Sequence, residues 1–283
     1  MRPLLVTGSR GQLGRALLAV AGRRGIPTVG HDVDTLDITD RSAVGALVAS
    51  VKPGVIVNCA AFTAVDACEE REAEALRING EAVGHLADAA GTTGALLVQV
   101  STDYVFSGEG SRPWREDDPP APLGAYGRTK LEGERQAARA PEHLVVRTAW
   151  LFGQGGSNFV EAILRQVEAG RPRLEVVADQ TGCPTLADDL AEAILDLVER
   201  GARGIVHAVN AGHTTWHGLA SEIVRLAGTP VEVVPITTAE AGRPAPRPAW
   251  AVLDTTRLGK LLGRRLPPWT DALARYMEAR CAS

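Results

Sequence analysis

The sequence predicts a doubly wound α/β fold built on a parallel sheet. Short apolar runs alternate with amphipathic stretches of helical length, the pattern of repeated βαβ units with both sheet faces covered. The first run is followed at once by a glycine-rich turn that opens a helix. Finally, Gly8, Asp32, Asn58 and Thr102 each fall at the carboxyl end of an apolar run, the edge at which such sheets bind ligands.

Taken in order, Leu4-Leu5-Val6-Thr7 reads as a buried parallel strand stopped by Gly8. Leu13, Leu17 and Val20 recur at helical spacing, with Ala16 and Ala21 between them, until Gly22 closes the helix. Residues 26–30 form the second strand, ending on His31-Asp32. Thr39-Asp40 precedes a helix carrying Val44, Leu47, Val48 and Val51, and Lys52-Pro53-Gly54 breaks it. Residues 55–58 are the third strand, and a long helical stretch runs from about Cys68 to Ala90. Residues 95–101 and 144–147 are strands four and five. Beyond about residue 150 the pattern loosens, interrupted by prolines at 244–248 and 267–268, while residues 205–209 look like a strand returning to the main sheet. The expected division is a dinucleotide-binding domain over 1–150, with a return segment near 186–212, and a smaller interleaved substrate-binding lobe over 151–283.

Composition narrows the function classes. The 283 residues are 45% hydrophobic and 23% charged, ordinary globular usage for a chain able to bury a large core. A net charge of −4 gives no basic surface for nucleic acid or anionic membrane. No apolar run reaches the roughly 20 residues of a spanning helix. Met1-Arg2-Pro3 leads straight into a strand, so a cytoplasmic protein is expected. Cys59, Cys68, Cys183 and Cys281 are scattered without a C-x-x-C pair and are expected to be reduced packing residues, and the six histidines do not cluster as metal ligands.

Two motifs carry chemistry. Gly8, Gly11 and Gly14 form G-x-x-G-x-x-G at a strand-to-helix turn, where a diphosphate can approach the backbone and meet helix N-terminal N–H groups. Arg10, Gln12 and Leu13 belong to the same cradle. Asp32 at the end of strand two can accept ribose hydroxyls and favours NADH, whereas Arg10 could meet the extra phosphate of NADPH. The two signals oppose each other and leave the coenzyme open. Asp37-Ile38 either contact the adenine or cap the next helix. The second motif is Tyr126-Gly127-Arg128-Thr129-Lys130. A phenol can protonate a nascent alkoxide, but its ordinary pKa of about 10 suits neutral pH poorly. Lys130, one helical turn on, is expected to lower that pKa and to reach the nicotinamide ribose, with Thr102 bonding the substrate oxygen.

Together, the glycine turn, Y-x-x-x-K and the preceding Ser101-Thr102 resemble the extended short-chain dehydrogenase/reductases. More closely, the chain resembles the dTDP-4-dehydrorhamnose reductase family from residue 4 to about 270, through residues 55–66, 101–108, 126–134, 147–152 and 179–185. The resemblance implies a Rossmann-type fold and reduction by NADPH or NADH of a dTDP-4-keto-6-deoxyhexose, with Thr102, Tyr126 and Lys130 as the catalytic set. It further implies that Asp103, Tyr104 and Trp150 line the deoxyhexose pocket with Val65 nearby, that Ala60, Ala61, Phe62 and Thr63 border the cofactor, and that Gln180 to Thr185, Pro184 included, face the nucleotide half of the substrate. Related dehydratases have an acid where Tyr104 stands, which disfavours dehydration here. Some family members hold Mg²⁺ at a dimer contact; Arg15-Ala16 stand at the corresponding place, and Asp188 alone would be a poor replacement, so a metal-bridged dimer is not expected, although a homodimer stays open. Two other readings remain: a 4-ketoreductase for a different deoxysugar of secondary metabolism, and a non-catalytic regulatory subunit of the methionine adenosyltransferase type.

Overall fold

The computed structural model describes residues 2–281, with the backbone alone at Cys281, whose expected packing lies outside the described residues. From the N-terminus, β1 (Leu4–Thr7), α1 (Gln12–Arg23), β2 (Thr28–His31), α2 (Arg41–Val51) and β3 (Val55–Asn58) follow one another. Then come α3 (Val65–Glu70), α4 (Glu72–Leu76), a π-helical turn (Arg77–Glu81), α5 (Ala82–Thr93), β4 (Leu96–Thr102), α6 (Ala125–Ala137) and β5 (His143–Thr148). The second half holds β6 (Leu151–Phe152), α7 (Phe159–Glu168), β7 (Arg173–Val177), β8 (Thr181–Gly182), β9 (Thr185–Leu186), α8 (Ala187–Glu199), β10 (Gly204–His207) and β11 (Thr214–Thr215). It ends with α9 (Trp216–Leu226), β12 (Glu232–Ile236), α10 (Thr238–Ala241), α11 (Thr256–Leu262) and α12 (Trp269–Cys281).

Six strands form one sheet in the order β10-β5-β4-β3-β1-β2, and every pairing in it is parallel. This is the expected Rossmann-type doubly wound fold. Its inner strands β1, β3, β4 and β5 read as largely apolar runs because both faces are buried, whereas the edge strand β2 is only half-buried. Leu4, Val6, Val57, Val98 and Val146 pack under α1, α8 and α11, while Leu5, Ile56, Leu97 and Val145 pack on the other face against α2 and α5. Each such side chain contributes about 1.5–3 kcal/mol by leaving water. A further core joins Phe152, α7, α9 and α12 away from the sheet.

Local signals explain most boundaries. Asp40 caps α2 by accepting the Ser42 and Ala43 N–H groups, and Lys52 ends it in the left-handed region at φ 49°. The second strand begins later than expected, at Thr28, since Pro27 has no N–H to give a ladder and only its carbonyl bonds Leu4. The largest departure is the single helix expected over 68–90. It is broken at Arg71 (φ −124°, ψ 41°) and widened into a π turn at Arg77–Glu81. That turn aims Asn79 at the Phe62 backbone, where its Oδ1 accepts the N–H at 2.7 Å and its Nδ2 donates to the carbonyl at 3.1 Å. Apolar periodicity cannot register such a break because the buried face continues through it. No helix of the described residues is long and apolar enough to cross a membrane.

Candidate active site

The chain leaves β1 toward β2 on one side and continues from β3 on the other, so the carboxyl ends of β1 and β3 bound the topological switch point. Gly8 turns there with φ +65°, and a Cβ on it would lie 2.6 Å from the Ala60 nitrogen. A Cβ on Gly14 would collide with the Gly8 carbonyl oxygen. Both positions therefore demand glycine. No side chain caps the start of α1, whose first N–H groups are left for an anion. The strand ends are locked beneath: Thr7 Oγ1 donates to Asn58 Oδ1 at 2.6 Å, and Asn58 Nδ2 donates to Gln99 Oε1 at 2.7 Å.

A cleft of about 890 Å³ opens along this edge. One end is bordered by the glycine turn (Gly8, Gly11, Gln12, Leu13, Gly14), by Asp32, and by Asp37 and Ile38. Asp32 accepts the Arg10 N–H at 2.8 Å and the Val33 N–H at 2.9 Å; burial works against its ionisation, but these backbone bonds hold its carboxyl below the usual range. Asp37 lines the cleft while its Oδ1 takes the Thr39 N–H and hydroxyl at 2.9 and 2.8 Å, and the actual cap of α2 is Asp40. Ala60, Ala61, Phe62, Thr63 and Val65 form the next stretch of wall.

The reactive side chains stand at the middle of the cleft. Thr102, Asp103, Tyr104, Tyr126 and Lys130 all line it, the first three from the end of β4 and the last two from one face of α6. Thr102 donates its hydroxyl to Asp103 Oδ1 at 2.8 Å and accepts the Tyr104 N–H at 3.2 Å. Asp103 Oδ2 is buried with no partner, and burial raises this carboxyl to about 7 in spite of its bonds to Thr102 and the backbone. Lys130 donates to the Val100 carbonyl at 2.6 Å; burial pushes its ammonium down to about 8 against the opposing charge of Glu134.

Here one expectation is corrected. The phenol of Tyr126 is raised above its ordinary value, not lowered, by burial first and then by the neighbouring Asp103 and Tyr104. Its ring meets that of Tyr104 edge-on, centroids 5.4 Å apart. Lys130 spends its charge on the end of β4 instead.

The far end is aromatic. Trp150 adopts φ 45°, a strained conformation for a side chain of its size, and stacks on Trp216 with centroids 3.5 Å apart and planes 5° from parallel. Phe159 leans on Trp216 at 4.6 Å. A Cβ on Gly182 would run into the Trp150 indole, so that glycine makes room for the stack.

Three of the residues expected at the site stand outside the cleft lining. Arg10 turns its guanidinium to Asp34. Gln180 is buried with both polar ends used, Nε2 donating to Thr238 Oγ1 at 2.9 Å and Oε1 accepting from Trp216 Nε1 at 3.1 Å. Pro184 is buried in the link between β8 and β9. Sequence reasoning missed Trp216 and Phe159, though in a chain only 4% aromatic they merited notice. It missed Asn79, a lone amide in an apolar helical stretch. It also missed Glu134, one turn beyond Lys130, which accepts Ser101 Oγ at 2.5 Å and pairs with buried Arg147 at 2.9 and 2.7 Å.

Over residues 1–281 the chain matches the family described as RmlD substrate binding domain, and it belongs to that family. Its relatives include a dTDP-4-dehydrorhamnose reductase of Streptomyces griseus, 45% identical across 98% of this chain and 93% of the relative. Another is a probable dTDP-4,6-dihydroxy-2-methyloxan-3-one 4-ketoreductase of Streptomyces antibioticus, 44% identical across 95% of this chain and 92% of the relative. The solved structure of a Bacillus anthracis dTDP-4-dehydrorhamnose reductase in complex with NADP is similar at a TM-score of 0.95 and 34% identity, covering 98% of this chain and 99% of that one.

Proposed function

We propose that this protein reduces the C4 ketone of dTDP-4-dehydro-L-rhamnose to dTDP-L-rhamnose with NADPH or NADH. The observation that carries this reading is the gathering of Thr102, Tyr126 and Lys130 in the same cleft as the glycine turn. The residues fit a dinucleotide: the turn would be filled by any Cβ at Gly8 or Gly14, and the uncapped start of α1 faces it. There Gly11, Gln12 and Leu13 would hold the diphosphate, Asp32 the adenosine ribose and Lys130 the nicotinamide ribose. A dihydronicotinamide held there would supply the hydride that the carbonyl carbon accepts.

The chain's own residues do the rest. Tyr126, kept protonated by its burial, gives its phenolic proton to the oxygen as negative charge develops there. Thr102 swings its hydroxyl from Asp103 to the same oxygen. Asp103, Tyr104, Val65 and the Trp150 face hold the deoxyhexose and keep water from it, with Gln180 acting through Trp216. In this reading residues 1–150 and the segment near 186–212 serve the coenzyme, and the remainder of 151–283 serves the sugar nucleotide. The packing of α8 and β10 onto the sheet, with a separate core around α7, α9 and α12, supports that division. The reaction runs in the cytoplasm, a setting that suits the free thiols of Cys59, Cys68 and Cys183.

Tyr126→Phe is expected to lose roughly 10²- to 10⁴-fold in ketone reduction while binding coenzyme as before. Stopped-flow loss of NAD(P)H absorbance on the enzymatically prepared 4-keto sugar nucleotide measures it, and normal turnover by the variant would sink the proposal. The Streptomyces antibioticus relative, at 44% identity, favours one second reading, reduction of another dTDP-4-keto-6-deoxyhexose. Product stereochemistry by NMR separates the two.

A further inference from the structure

The adenosine end of the cleft carries a charge arrangement that bears on which coenzyme this chain takes. The two coenzymes differ by one phosphate on the adenosine ribose, a dianion near neutral pH that needs a cation with free N–H donors. The guanidinium of Arg10, which belongs to the glycine turn, is already committed. Its Nη1 and Nη2 donate to Asp34 Oδ2 and Oδ1 at 2.9 and 2.6 Å, a two-pronged pair, and Nη2 stands 3.8 Å from Asp32 Oδ1. The turn that presents Asp34 is itself fixed, with Thr35 N–H bonded to the Asp32 carbonyl at 2.8 Å and Asp32 N–H to Thr35 Oγ1 at 3.1 Å. Asp32 is pinned in the cleft wall by the Arg10 and Val33 N–H groups, ready to accept ribose hydroxyls. The other cation close by, Arg15, gives its Nε to the Arg10 carbonyl at 2.7 Å.

We infer that Asp34 sets the coenzyme choice of this chain toward NADH, by tying down the Arg10 guanidinium that would otherwise be free to receive a ribose phosphate. With Arg10 held by Asp34, the side chain presented to the ribose is the ionised Asp32 carboxylate, which welcomes two hydroxyls and repels a phosphate. The pair is half exposed on both sides, at 55% and 53%, so it is weak enough for one substitution to release Arg10. The inference rests on the coenzyme-dependent function proposed above, yet its test needs no sugar substrate.

NADH and NADPH are titrated by calorimetry, at one fixed ionic strength, into the wild-type chain, Asp34→Asn, Arg10→Ala and the double variant. The wild type is expected to bind NADH about fivefold or more tightly than NADPH. Asp34→Asn is expected to tighten NADPH by roughly five- to tenfold and leave NADH within about twofold, and the gain should vanish when Arg10 is also removed. A wild type that prefers NADPH, an unchanged ratio in Asp34→Asn, or a gain that survives the loss of Arg10 would each overturn the inference. Binding of neither coenzyme by the folded wild type is a different result, and it would overturn the functional reading beneath. Asp34 lies on an exposed turn outside the core, so the variants can be matched to wild type by circular dichroism first.

Discussion

Asp103 brings a carboxyl into a place where ionisation is costly. One oxygen is bonded to Thr102 and the other has no partner, and burial moves the group from the ordinary carboxylate range to about 7. Between those two values the folded protein holds a proton that the unfolded chain has released, so stability falls as pH rises through that window. Asp103→Asn removes the effect. Its unfolding free energy in chemical denaturation should exceed that of the wild type by more at pH 8 than at pH 5, with a difference on the order of 1–4 kcal/mol. Equal shifts at the two pH values would contradict this account. Lys130 gives the opposite limb: its ammonium, lowered to about 8, is lost as pH rises through that value, and the reduction rate should fall with it. The sequence announced the Tyr126–Lys130 pair through its spacing read together with the glycine turn and Ser101-Thr102. What it hid was the direction in which the phenol shifts, because burial leaves no trace in spacing.

At the level of secondary structure, α6 does more than carry the reactive phenol. Tyr126, Lys130 and Glu134 recur every four residues along one helical face, and the last two of them hold the end of β4. Lys130 clamps the Val100 carbonyl, Glu134 clamps Ser101 Oγ, and Thr102 follows directly in the chain. The clamp holds because Arg147 balances Glu134 in a pair whose side chains are only 2% and 5% exposed. Glu134→Gln keeps the Ser101 bond but strands the Arg147 charge, and a loss of about 3–5 kcal/mol in chemical denaturation is expected. It also removes the negative charge that supports the Lys130 ammonium, so the alkaline fall in activity should begin at lower pH. A variant with an unmoved pH profile would reduce Glu134 to a packing role. The helix, its motif and its strand were all readable from the sequence. The π turn that aims Asn79 at Phe62 was not, because a continuous apolar face conceals an extra residue in a turn.

For the whole molecule, short apolar runs bounded by turn residues and alternating with helical stretches were enough to foresee the sheet, since that is the trace strands buried on both faces leave in a sequence. The second half was less legible: its strands are two to five residues long and pair across large sequence separations, as in β7 with β12. Gln180 was misplaced for the same reason, because only the folded chain shows it turned inward onto Trp216. A ligand that binds the native cleft and not the unfolded chain stabilises the fold by mass action. NADH at a hundredfold excess over its Kd should add about 2.7 kcal/mol and raise Tm by roughly 5–10 °C. Thermal scanning with Gly8→Ala should show no such rise, since the added methyl displaces the Ala60 backbone. The indole stack of Trp150 and Trp216 has an optical use as well. Tryptophan emission overlaps the absorption of a reduced nicotinamide, and these two rings border the same cleft. Coenzyme arrival should therefore quench ultraviolet fluorescence and light up a blue sensitised signal, and Trp216→Phe should dim that signal without any change in the coenzyme's own brightness.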